Sequence, residues 1–203
     1  MATQRVTRQP RGFSLVEFLV AMTLSLMAIG LIGSVFISAQ KVAHQRSKQL
    51  YLLQALSAVF QSIEGDIQRA GFDNYQGDVL TLTGTNEVVD MRSSSDFGLA
   101  YYREMADNKH FRAIRYRLDG DALLVCEQGA QQQAAIKALE AIGSCRSMLD
   151  EKNLRVTEFS LTPLPLISSS AQSSLWTLSM AVQRRDLSYS HHLTIDIKQR
   201  NWQ

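Results

Sequence analysis

The chain has 203 residues, enough for one ordinary domain plus an attached segment and too few for two full domains. Its 21 basic and 19 acidic residues nearly cancel, so it lacks the concentrated cationic surplus that marks a nucleic-acid binder. The sign is uneven at the start, where Arg5, Arg8 and Arg11 stand without any acid in a leader-like stretch, a targeting pattern.

From Phe18 to Gln40 there is no charged residue, and FLVAMTLSLMAIGLIGSVFISA is apolar or small throughout. A helix of about 20 such residues crosses a bilayer core. Secretory signals carry a shorter apolar region closed by a small-residue cleavage site; no A-x-A follows here, so the run reads as a retained anchor. Glu17 borders it. A carboxylate among apolar residues is costly unless paired or held at the interface, which reads either as a functional charge or as a first-turn residue favoured by the helix dipole.

The string Arg11-Gly12-Phe13-Ser14-Leu15-Val16-Glu17 resembles the type IV prepilin cleavage motif. In that family a basic leader ending in Gly is cut by a prepilin peptidase at the cytoplasmic face, and the new N-terminal residue is methylated. The resemblance implies cleavage between Gly12 and Phe13 and N-methylation of Phe13. For Glu17 it implies pairing with the N-terminal amine of a neighbouring subunit, which answers the cost of the buried charge. A glycine before the cut suits a protease cleft that closes on bare backbone. The proline that many pilins carry further along this helix is missing; Gly30 and Gly33 stand as its loosening points. Orientation cannot be read from charge, because Lys41, Arg46 and Lys48 balance the leader arginines. The resemblance implies a single-pass inner-membrane protein with a cytoplasmic N-terminus and a periplasmic C-terminal domain, later carried into the pilus.

Beyond the apolar run, Leu52, Leu56, Val59, Phe60, Ile63 and Ile67 recur at spacings of three and four with glutamines between them, which predicts an amphipathic helix. No proline interrupts the segment from residue 11 to 162, so anchor and amphipathic half form one rod from Phe13 to about Ala70, with Gly71 as its stop. Gln68-Arg69-Ala70-Gly71-Phe72 and the terminal Leu193–Asn201 segment resemble stretches of PilW-like minor pilins.

Short strands follow. Val79–Thr83, Glu87–Met91, Leu154–Leu161, Leu175–Val182 and His191–Lys198 are candidates, and Phe111–Leu118 with Ala122–Glu127 reads as a hairpin about Asp119-Gly120. Ala130–Ile142, rich in Ala and Gln, reads as a short helix or a loop. Cys126 and Cys145 suit one disulfide in an exported domain, and two unpaired buried thiols are the other reading.

The order predicts an α+β protein with a pilin-like fold, a long N-terminal helix packed on a C-terminal antiparallel sheet. The resemblance implies a leader over residues 1–12 and a membrane and assembly half of the helix over 13–40; the pattern beyond predicts its amphipathic half over 41–70 and a β-rich globular domain over 71–203.

No phosphate loop, H-E-x-x-H or G-x-S-x-G occurs, so no catalytic residue, metal site or cofactor is assigned and the chain is read as a non-enzyme. His191 and His192 are strand neighbours that point to opposite faces, which does not favour chelation of one ion. Asp119 and Asp121 read as turn chemistry. Arg112, Arg115 and Arg117 with Tyr116 read as a solvated basic face, with no strong nucleic-acid signal.

The resemblance implies a minor pilin that primes or enters a type IV pilus, with prepilin peptidase, other minor pilins and the major pilin as partners. A minor pseudopilin of a type II secretion system, J-type in plan, shares the same N-terminus. An unprocessed single-pass anchored binding domain is the alternative from a different class, with an anchored enzyme more distant still.

Overall fold

The structure, a computed structural model, describes residues 12, 14–74, 77–167 and 172–201. The first element is helix α1, Leu15–Arg69, 55 residues without a break. Ser14 and Glu17 open it with half of a capping box: the Glu17 carboxylate accepts the Ser14 N–H at 3.0 Å, which satisfies an otherwise orphaned donor. At the other end Gly71 takes φ +83°, a left-handed conformation, and its N–H turns away to the carbonyl of Ala100 at 2.8 Å.

The chain divides into two units, residues 1–48 and 49–203. In the first, the helix exposes its apolar side chains around the whole circumference; Leu24, Leu31 and Phe36 are each more than half exposed. In the second, the stripe Leu52, Leu56, Val59, Phe60, Ile63 and Ile67 is buried against two antiparallel sheets.

The first sheet is a five-stranded meander in sequence order: β1 Val89–Ser93, β2 Asp96–Tyr102, β3 Phe111–Asp119, β4 Ala122–Ala130 and β5 Cys145–Ser147. The second has three strands, also in sequence order: β6 Leu154–Ile167, β7 Gln172–Arg184 and β8 Ser190–Lys198. One long helix followed by antiparallel sheets is the α+β, pilin-like architecture expected. Phe97, Tyr116, Phe159, Leu178 and Met180 join the helix stripe in the main core. A smaller core covers the other face of the first sheet, where Leu80, Leu82, Ile136, Leu139 and Ile142 pack on Ala100, Ala113 and Cys126.

Two expectations need correction, and a third, the short helix or loop, resolves into short turns. Val79–Thr83 joins no ladder: Leu80 and Leu82 alternate inward because the segment lies as a cover over the sheet, tied by the Leu80 N–H to the Gly71 carbonyl at 3.0 Å. The candidate strand Glu87–Met91 starts later and runs on as β1. Ala130–Ile142 supplies the last residue of β4 and then two single 3₁₀ turns, Gln133–Ala135 and Leu139–Ala141, whose apolar residues complete the smaller core.

Strand β2 had no sequence expectation, and it sits between β1 and β3 with five consecutive residues buried. Its Gly98 is required by close approach. A Cβ there would meet the Leu139 Cδ1 at 2.5 Å and the Ile114 carbonyl oxygen at 2.8 Å.

Candidate functional site

The N-terminal string and the helix behind it form the first candidate site. Gly12 is exposed, with nothing within 4 Å of where a Cβ would stand; Phe13 lies outside the described residues, as do Arg5, Arg8 and Arg11. Glu17 is exposed and spends one oxygen, Oε2, on the Ser14 N–H. Its carboxylate retains lone pairs for a second donor.

The apolar run is chemically self-sufficient. Each of its four hydroxyls returns to a carbonyl one turn back: Thr23 to Val20 at 2.9 Å, Ser25 to Ala21 at 2.8 Å, Ser34 to Leu31 at 2.8 Å and Ser38 to Ser34 at 2.9 Å. A helix whose backbone and side-chain polar groups are all met from within can enter a bilayer or an apolar bundle without orphaned donors.

Cys126 and Cys145 are joined by a disulfide with S–S 2.02 Å, directly opposite each other in the β4–β5 ladder. The bond pins the three-residue strand β5 and closes the loop that carries both 3₁₀ turns.

The sequence did not reveal a buried polar cluster centred on Asp66. Its carboxylate receives the Tyr101 hydroxyl at 2.9 Å and the Tyr116 hydroxyl at 2.6 Å, with Arg69 Nη1 at 3.3 Å from the same helix. Burial pushes its pKa above the ordinary carboxylate value, and the tyrosine donors and Arg69 oppose that shift. Both tyrosine hydroxyls are in turn pushed up, first by burial and then by the carboxylate beside them. A signal was present, because Asp66 sits three residues after Ile63 and next to Ile67, within the arc of the apolar stripe.

The basic face proposed for β3 is corrected by pairing. Arg115 is buried and forked onto Asp96 at 2.7 and 2.6 Å, Arg112 is paired with Glu127, and Arg117 reaches Asp119 at 3.0 Å. Three guanidiniums neutralised in this way leave no cationic strip along the strand. His192 Nε2 shares a hydrogen bond with the Ser179 hydroxyl at 2.8 Å. No grouping of metal-ligating residues occurs among the described residues.

Two family comparisons match the chain. The family described as prepilin peptidase-dependent protein B matches residues 45–200, and the prokaryotic N-terminal methylation motif matches residues 7–37. No curated protein and no solved structure matches it.

Proposed function

The chain belongs to the prepilin peptidase-dependent protein B family and is a type IV pilin-like prepilin, and we propose that within this class it is a minor pilin that primes or enters a type IV pilus. The observation that carries the reading as a processed filament subunit is the conjunction at the N-terminus, which the J-type pseudopilin shares. An exposed glycine precedes a helix whose first turn holds a single acid, and among the described residues none of the apolar run beyond it is buried.

The prepilin peptidase cuts between Gly12 and Phe13, and Phe13 becomes the methylated N-terminus. Residues 13–40 then hold the protein in the inner membrane, with residues 41–70 and the β-rich part beyond them on the periplasmic side. On assembly, the Phe13 amine of one subunit meets Glu17 of the next. The free lone pairs of Glu17 support this role, because an ammonium ion and a carboxylate neutralise each other where water is absent. The segments around Arg69-Ala70-Gly71-Phe72 and Leu193–Asn201 support the PilW-like assignment within minor pilins. The contribution is structural, not catalytic.

Intact-mass and N-terminal peptide mass spectrometry of the membrane-extracted protein tests this, with and without the prepilin peptidase. The expected product starts at methylated Phe13 only in the strain that has the peptidase. A chain that keeps Met1 in both strains would mean an unprocessed anchor and end the filament reading. Deletion separates the machines: loss of pili with intact exoprotein secretion supports the minor pilin, and the reverse supports the J-type pseudopilin.

A further inference from the structure

Between the second half of α1 and the first sheet lies a half-open cavity of about 400 Å³, floored by Tyr101 and Tyr116. Its cations come from three elements distant in sequence. Arg69 lies on α1; Arg103 follows Tyr101 at alternate spacing past the end of β2; Arg146 on β5 stands opposite Val125 in register. Alternation and register therefore put Arg103, Tyr101, Val125 and Arg146 on the helix-facing side of the sheet.

The two acids that line this cavity are already engaged. Asp66 accepts both tyrosine hydroxyls and Arg69, and Glu127 is held by Arg112, whose Nε lies 2.9 Å away. Among the described residues, no carboxylate pairs with the guanidinium of Arg103 or Arg146. In a chain whose charges nearly cancel, this is a local cationic surplus facing a concavity. Guanidinium groups recognise carboxylates through forked hydrogen bonds.

We propose that this cavity is a docking site for a carboxylate on a neighbouring filament subunit, an acidic side chain received by Arg103 and Arg146. The proposal rests on the assembly reading above and adds to it the chemistry of the partner. A protein segment fits better than a free anion, because the cavity is open along one side and edged by Gln61 of the helix, a polar group that a passing backbone can use.

Full-length protein in detergent micelles is titrated with a fluorescent Gly-Ser peptide carrying glutamates, with the same peptide carrying glutamines, and with free glutarate. The glutamate peptide should bind at least about tenfold tighter than the glutamine peptide, the scale of a charge-assisted hydrogen bond. Arg103→Gln combined with Arg146→Gln should abolish that preference. Arg92→Gln combined with Arg200→Gln changes the charge equally on exposed arginines elsewhere and should keep it. Equal losses in the two double variants would reduce the effect to general attraction and overturn the site. Glutarate binding as tight as the peptide would make it a small-anion site and overturn the docking.

In cells, Arg103→Glu with Arg146→Glu should lose cross-linking to other filament subunits while the N-terminus is still processed. Normal cross-linking in that variant overturns the inference alone. Absent processing of the native chain overturns the assembly reading, whatever the peptide result.

Discussion

A buried carboxylate must be held by donors or shed its charge, and Asp66 is balanced between the two. Two tyrosine hydroxyls and Arg69 favour the ion, whereas burial favours the acid and prevails in direction. Removing the carboxylate with Asp66→Ala leaves two buried hydroxyls without their acceptor, and should cost about 1–3 kcal/mol in urea unfolding. A loss below about 0.5 kcal/mol, the range of ordinary surface substitutions, would show that the cluster is not a structural tie. Its pH dependence has a fixed sign. With the folded pKa raised, the folded state binds more protons than the unfolded state from about pH 4 up to the shifted value, so stability from this group is present at low pH and falls across that window. The stability of the native chain relative to Asp66→Asn, measured against pH, should decline there and level off above it. A rising curve would reverse the assigned shift.

At the level of elements, the disulfide makes a short strand viable. Strand β5 has only three residues, and the loop before it supplies Ile136, Leu139 and Ile142 to the smaller core. Replacing Cys126 and Cys145 together by serine should cost roughly 3 kcal/mol in the chain-entropy account, seen as a fall in melting temperature that reductant reproduces in the native protein. Faster amide exchange should be confined to the segment between the cysteines and the facing residues around Leu82. Exchange that rises uniformly would mean that the bond supports the whole domain.

The same elements show what the sequence could and could not tell. The α1 stripe was legible because a helix with one buried face must repeat its apolar residues at three and four. Strands β3, β4, β7 and β8 were legible to within about three residues at their ends, whereas β6 runs on to Ile167, past its expected end at Leu161. Strand β2 was not, since Asp96–Tyr102 is buried on both faces and the alternation that marks a strand disappears. Val79–Thr83 misled for the converse reason: alternation reports one-sided burial, and a covering segment has that without a ladder partner. At the site, the motif around Gly12 and Glu17 was legible because it is contiguous. Arg103 and Arg146 share a cavity only through the register of strands that the sequence had not placed.

On the scale of the whole molecule, the two units bury their apolar surface in different ways. Residues 49–203 enclose a core of their own, whereas Leu24 and Leu31 of the first unit remain 61% and 70% exposed. Apolar side chains left open around a full helical circumference are stable only against lipid or other helices. Substituting Leu24→Arg with Leu31→Arg puts two charges into the run, at roughly 3 kcal/mol each for insertion at mid-bilayer. Membrane fractionation should therefore be lost. Neither side chain belongs to the core of residues 49–203, so thermal unfolding of that unit, followed by near-ultraviolet circular dichroism, should shift by no more than the equivalent of about 0.5 kcal/mol. Retention in the membrane would point to a second attachment and remove the anchor role from residues 13–40. A large drop in the melting transition would show that the apolar run also serves the stability of the β-rich unit, against the division described here.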